Sequence, residues 1–390
     1  MVLLIIITIT TVLISYGIFE YAQHQRYLKA IPIRIHINGT RGKSSVTRLV
    51  GAGLRAGGYN TITKVTGTFP RMILNDGTEV AIHRKEKANI LEQLEIVKYC
   101  SNKKADVLLI ECMALQPNYQ RITEHKMIKA THGVITNIRM DHLDVMGPKL
   151  ENVAEALSMT IPKKSKLFTA ETRMLEFLKD KASSLDTEVI STTGDTVNFT
   201  EMAEFPYFEH PENVSLALAI CDSLNVNRKE ALDAMKTTRP DEGALKKHTL
   251  RKNMQVIHFY NALAANDPES SVMLWKNIQK MEAKGSQKVI IINSRKDRKE
   301  RSEQLILAIS SLEYDVLFLT GENVDLVKSM AKKREIPSNK LFLIRQQDPE
   351  EQLNEMLTSL GQESVLVAFG NMGAGGAELV KYFEQNSENK

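Results

Sequence analysis

Residues 33–49 read IRIHINGTRGKSSVTRL, a β-branched run that breaks into glycines and small polar residues before a helical pattern resumes. Gly39 and Gly42 let the backbone turn and aim N–H groups at an anion. A helix opening near Lys43 would present the positive end of its dipole to the same anion. Lys43 suits the β- and γ-phosphates of a nucleotide, and the Ser44 hydroxyl suits Mg²⁺. The candidate nucleotide-binding residues are therefore Asn38, Gly39, Thr40, Arg41, Gly42, Lys43, Ser44 and Ser45. A full Walker spacing would need glycine at position 37, where the chain has Ile37, so the motif is a shortened GxxGKS. An ordinary glycine turn is the bland alternative.

Two further stretches end apolar runs on polar groups. In VLLIECMALQP, residues 107–117, Glu111 closes a strand-like run and could hold a metal ion against phosphates. In VITNIRMDHLDVMGP, residues 134–148, a similar run meets Asn137, Asp141, His142 and Asp144. A lone histidine is more often structural; one at a strand end beside a phosphate loop is a candidate ligand. Lys43, Glu111 and His142 are thus the candidate catalytic residues, and Ser44, Glu111 and His142 the candidate metal ligands.

These groups can meet only if the elements carrying them lie side by side. Residues 33–37, 107–110 and 133–137 read as short buried strands, with helices at 46–56 and 150–160. Strands alternating with helices imply a mostly parallel sheet, whose carboxyl edge is where ligands bind. A second set follows: strands at 256–260, 289–293, 316–320, 341–344 and 365–369, with helices such as 272–281 and 350–360. The stretch TTRPDEGALKK, residues 237–247, reads as the hinge. The expected domains are 1–30 as membrane anchor and juxtamembrane segment, 31–237 as ATP-binding domain and 238–390 as a Rossmann-like domain.

With 390 residues there is room for two domains. A formal net charge of only +4 argues against a general nucleic-acid scaffold. The three cysteines, Cys100, Cys112 and Cys221, show no metal-ligand spacing and read as reduced, buried thiols of a cytoplasmic domain. Residues 2–19, VLLIIITITTVLISYGIF, carry no charge. As a helix they would rise about 27 Å, close to a bilayer core. The flanking Arg26 and Lys29 place the carboxyl side in the cytoplasm, so a single-pass anchor in the cell membrane is expected. A signal peptide would want its basic residues on the other flank. SRKDRKERSE, residues 294–303, reads either as a solvated helix face or as Arg295 and Arg298 binding substrate carboxylates. GNMGAGG, residues 370–376, reads as a tight strand–helix turn.

Taken together, the GTxGK[ST] loop, the Glu111–Gln116 pair and the Asn-x-x-x-Asp-His-x-Asp cluster resemble the Mur ligase superfamily of ATP-dependent amide ligases. HPENVSLALAI, residues 210–220, resembles that family's adenine-contacting helix, which would assign Asn213 to the nucleotide. NALAANDP, residues 261–268, resembles its second-domain nucleotide loop, which would assign Asn266. The superfamily's muramyl members carry a preceding UDP-sugar domain, for which there is no room here, so a nucleotide-sugar substrate is not expected. The anchor, TGTFPRM at 66–72, ECMALQPNYQ, DHLDVMGP and NSRKDR at 293–298 together resemble the membrane-bound poly-γ-glutamate synthase subunits.

The resemblance implies an ADP-forming carboxylate–amine ligase that polymerises glutamate through an acyl phosphate, with ATP and Mg²⁺. It also implies membrane partner subunits in a capsule or export complex, and it leaves room for self-association. Two departures bear on the site. The lysine that the superfamily carbamylates falls by spacing near Leu157, and no lysine follows until Lys163. The usual Pro-Gly-Arg is replaced by Gly243-Ala244-Leu245, leaving Lys246 as the nearby cation. The alternatives are a folylpolyglutamate-type ligase and a membrane P-loop ATPase or kinase that regulates capsule export.

Overall fold

The computed structural model describes the chain except residues 67–69, 85–87, 206, 208, 241–246, 264–267, 283, 284, 389 and 390. The chain divides into two compact units, Met1–Glu242 and Gly243–Lys390. The segments at Asn266 and at Gly243 to Lys246 lie outside the described residues.

The first unit begins with a helix, α1 (Val2–Lys29), whose side chains are exposed through Phe19 and whose Leu28 is buried. Among the described residues it is the one helix long and apolar enough to cross a membrane. Eight strands follow: β1 (Ile33–Asn38), β2 (Thr61–Val65), β3 (Arg71–Ile73), β4 (Glu79–Ala81), β5 (Val107–Glu111), β6 (His132–Ile135), β7 (Lys166–Thr169) and β8 (Glu188–Ser191). They form one sheet in the order β4-β3-β2-β5-β1-β6-β7-β8, parallel except at the β2-β3 and β3-β4 pairs. β1 is therefore central, flanked by β5 and β6, with Ile37 opposite Glu111 and Asn38 opposite Ile135. From β1 the chain runs to β2, β3 and β4 on one side, returns to insert β5 between β2 and β1, and then crosses to β6, β7 and β8 on the other. The loops after β1, β5 and β6 consequently emerge together at a topological switch point.

Alternation along β1 sorts its side chains onto two faces. Ile35 and Ile37 pack with Val46, Leu49 and Val50 of α2 (Lys43–Ala56) and with the helix Pro211–Ser223. That packing explains the departure from the Walker spacing, because position 37 is still strand and fully buried. His36 and Asn38 face the other layer, built by α3 (Glu92–Asn102), α4 (Pro117–Ile122) and the π-helix Thr123–Ile128. The strand read at 133–137 ends earlier, at Ile135, since the side chains of Thr136 and Asn137 turn to the phosphate-type loop. The helix read at 150–160 spans Leu150–Ser158.

The second unit holds β9 (Lys247–Lys252), β10 (Gln255–Asn261), β11 (Gln287–Ser294), β12 (Val316–Gly321), β13 (Leu341–Leu343) and β14 (Glu363–Gly370). Their order is β13-β12-β11-β14-β10-β9, parallel except for β9. Its core includes Ile257, Phe259, Val289, Phe318, Leu366 and Phe383. The turn 370–376 joins β14 to the helix Gly376–Asn386.

Candidate active site

Two glycines shape the loop after β1, and neither admits a side chain. Gly39 has φ 131°, and a Cβ there would lie 2.0 Å from Thr136 Oγ1. Gly42 caps α2 at φ 80°, and a Cβ there would lie 2.6 Å from Asn213 Oδ1. The loop is then fixed by Asn137, about a hundred residues later. The Asn137 carbonyl accepts from Thr40 N (3.0 Å), and its side-chain oxygen accepts from Arg41 N (3.0 Å). Its amide donates to the Arg41 carbonyl (3.1 Å), as does the Thr136 hydroxyl (2.6 Å). Arg41 forms an ion pair with Asp141 at 3.2 Å. Asn38 donates to Gln120 Oε1 (2.7 Å) and Thr160 Oγ1 (3.1 Å), securing the loop's first residue from the opposite face.

Lys43 turns back into the loop and donates to the carbonyls of Gly39 (2.7 Å) and Thr40 (3.3 Å). Burial lowers its pKa, while the Glu111 carboxylate acts in the opposite sense. Ser44 donates to Glu111 Oε2 at 3.1 Å, and the same oxygen accepts from Thr66 N at 2.7 Å. Glu111 is only 2% exposed. The structure thus joins Ser44 to Glu111 across α2 and β5. His142 stands on the neighbouring wall, beside Asp141, and lines a small cavity with Asn38, Gly39, Thr40, Lys43 and Cys112. Asp144, two residues further on, lies in the short helix Leu143–Met146.

Among the described residues no group of three or more His, Cys, Asp or Glu side chains closes as a metal cage. A hydroxyl next to a buried carboxylate fits a Mg²⁺ that keeps most of its ligands as water and phosphate oxygen. A glycine loop backed by a helix N-terminus fits the phosphates themselves. These residues therefore suit a magnesium nucleotide. Lys163 does not extend the set: it lies in the exposed turn before β7, at the opposite edge of the sheet, and Leu157 is buried core.

Asn213 and Ser45 meet at a residue the sequence reading did not single out. Asn213 donates to Glu209 Oε1 at 2.8 Å, and Ser45 is also hydrogen-bonded to that carboxyl. Burial raises the Glu209 pKa to about 7 against these bonds. A single glutamate ahead of a helix carries no pattern, and only its place one residue before His210 could have drawn attention. A second buried pair lies behind the loop, where His36 Nδ1 meets Glu124 Oε2 at 2.8 Å, both side chains essentially inaccessible. Burial opposes the charge on His36, but the neighbouring Cys112 and Glu124 side chains raise its pKa to about 9.

In the second unit Arg295 and Lys296 line an open pocket with Gly373 and Ala374, at the carboxyl ends of β11 and β14. Arg295 is ion-paired to Asp297 at 2.8 Å, and Arg298 caps the helix Lys299–Ile309, half exposed.

Comparison with known proteins places this architecture. The Mur ligase middle-domain profile matches residues 37–222, which makes the first unit a Mur-type ligase domain. The profile of the poly-gamma-glutamate synthase CapB C-terminal domain matches residues 247–386. The chain is 36% identical to the capsule biosynthesis protein CapB of Bacillus anthracis, over 97% of this chain and 82% of that one. It is 34% identical to the PGA synthase CapB of Bacillus subtilis (strain 168), over 97% and 96% respectively. The chain belongs to the poly-γ-glutamate synthase CapB family. Its fold is also that of E. coli FolC, solved with DHPP and ADP, at a TM-score of 0.70 and 14% identity over 94% of this chain and 92% of that one.

Proposed function

We propose that this protein is an ATP-dependent, ADP-forming amide ligase that joins glutamate units into poly-γ-glutamate. The observation that carries the reading is the Ser44–Glu111 pair at 3.1 Å beside the Lys43 loop, in a chain aligned with CapB proteins over 97% of its length. Bound ATP with Mg²⁺ would supply the phosphoryl group that activates a glutamate carboxylate for attack by an amine.

The chain's own groups position and neutralise charge rather than form covalent bonds. Loop amides from Gly39 to Ser45 and the start of α2 would face the phosphates, with Lys43 released from the Gly39 and Thr40 carbonyls to meet them. Ser44 and Glu111 would hold Mg²⁺, and His142 would orient the acceptor carboxylate or a second cation. Asn213, held by Glu209, would face the adenine, and the family resemblance would add Asn266, outside the described residues, as a nucleotide contact. Arg295 and Arg298 would take carboxylates of substrate or growing polymer, since guanidinium matches that geometry. A single pass of α1 through the cell membrane would keep both units in the cytoplasm and offer a docking element for membrane subunits of an export complex.

The test is ADP and phosphate release by the membrane-embedded protein with its partner subunits, with and without glutamate or short poly-γ-glutamate. Release should depend on glutamate, and Lys43→Ala should lower it at least a hundredfold while membrane association persists. Hydrolysis indifferent to glutamate would reject the ligase assignment.

A further inference from the structure

We propose that the amino-terminal edge of the first unit's sheet is a docking surface for anionic lipid headgroups, a proposal that rests on α1 spanning a membrane. The helix is seated on the turn that leads into β6. His24 Nε2 is 2.8 Å from the Met127 carbonyl oxygen, and Lys129 Nζ donates to Gln25 Oε1 at 2.5 Å and lies 5.9 Å above the Tyr21 ring. The uncharged run ends at Phe19, two residues before Tyr21. A bilayer that holds residues 2–19 therefore brings its headgroups within about one or two helical turns of this edge.

The edge is basic. Lys29 precedes β1, Lys103 and Lys104 precede β5, Lys129 precedes β6, and Lys163 and Lys164 precede β7; all but Lys129 are exposed. Asp106 on the same edge accepts from the Asn60 backbone N–H at 2.9 Å. Asp186 and Glu188, at the start of β8, line one pocket with Lys164 and Lys166, so the uncompensated positive charge is greatest at Lys29, Lys103 and Lys104. Attraction of such lysines to an anionic leaflet acts over about a Debye length, roughly 10 Å at 0.1 M salt. The Lys43–Glu111 site lies at the opposite ends of the strands, which separates this surface from substrate and polymer.

Backbone conformation supplies an independent argument. Lys104, Lys129 and Lys164 have φ of 51°, 50° and 53°, the left-handed region that side-chain-bearing residues avoid. Glycine or asparagine normally ends a helix there. In the turns before β5, β6 and β7 the chain places lysine where the backbone favours glycine, and in the turn before β8 it places Asp186, at φ 52°. Lysine at the three turns before β5, β6 and β7 is the choice an anionic membrane surface favours.

The full chain can be reconstituted into vesicles of phosphatidylcholine alone or with about 30% phosphatidylglycerol, followed by lysine acylation read site by site by mass spectrometry. Lys103, Lys104, Lys163 and Lys164 should label at least threefold more slowly in the anionic vesicles. The difference should vanish near 0.5 M salt, where screening is nearly complete. Lys149, exposed at the opposite edge, should label equally in both. Equal rates at the edge lysines, or protection by soluble poly-γ-glutamate in neutral vesicles instead, would overturn the proposal. The variant Lys104→Gly/Lys164→Gly should melt about 1–3 °C higher yet lose the lipid protection at Lys103 and Lys163. A lower melting temperature would show that the turns themselves require lysine, and would also overturn it. Failure to float with either vesicle in high salt would remove the membrane span and this surface together, while the ligase reading would stand on its own assay.

Discussion

At the scale of residues, the site is built from pairs rather than from a preassembled cage. Glu111 is buried, accepts from Ser44 and Thr66 through one oxygen, and stands at the end of a strand next to the loop. A carboxylate so held is ready to trade the serine hydroxyl for a metal ion. Glu111→Gln keeps the shape and removes the charge, so the Mg²⁺ concentration for half-maximal phosphate release should rise at least tenfold. An unchanged Mg²⁺ dependence would remove Glu111 from the ligand set. Lys43, Ser44 and Glu111 were legible in the sequence because glycine spacing and a strand-end carboxylate are local signals. Glu209 was not, since its partner Ser45 lies over 160 positions away and only its place just ahead of the His210–Ile220 motif hints at it.

At the scale of elements, apolar runs were readable whatever their length, as the three-residue β13 was. The fully buried β2, TITKV, was not, because Thr61, Thr63 and Lys64 break its apolar run. β1, β5 and the five parallel strands of the second unit are runs of β-branched and leucine residues, which periodicity detects. β7 and β8, KLFT and EVIS, are four residues each and begin on charged side chains, so their partners rather than their composition make them strands. The π-helix Thr123–Ile128 is likewise invisible locally, yet it carries Glu124 to His36, and its Met127 carbonyl meets His24 of α1. Because Cys112 and Glu124 together raise the folded His36 pKa from 6.5 to about 9, their stabilisation is fully present below about pH 6.5 and is lost as pH rises through about 9. Glu124→Gln should cost about 3 kcal/mol at pH 6.5, as breaking a buried pair does. It should also flatten the fall in denaturation midpoint between pH 6.5 and 9. A variant that keeps the wild-type slope would show that Glu124 does not set the His36 titration.

At the scale of the whole molecule, each unit buries a core of its own. Phe383 is fully buried and stacks on Phe259, with ring centroids 4.0 Å apart. Phe383→Ala should cost about 3–5 kcal/mol. Hydrogen exchange should accelerate in β10, β11 and β14 while β1, β5 and β6 keep their protection. Equal acceleration in both sheets would show that the two cores unfold as one.

The bonds from Thr136 and Asn137 to the loop carry a consequence for assembly. Thr40 and Arg41 take their backbone geometry from residues about 96 positions later, delivered only once β6 has docked beside β1. The glycines permit the turn but do not impose it. A ribosome that has released only the first hundred residues has therefore written the nucleotide signature without giving it a shape. Competence for phosphate arrives late, with the strand that crosses to the other side of the sheet.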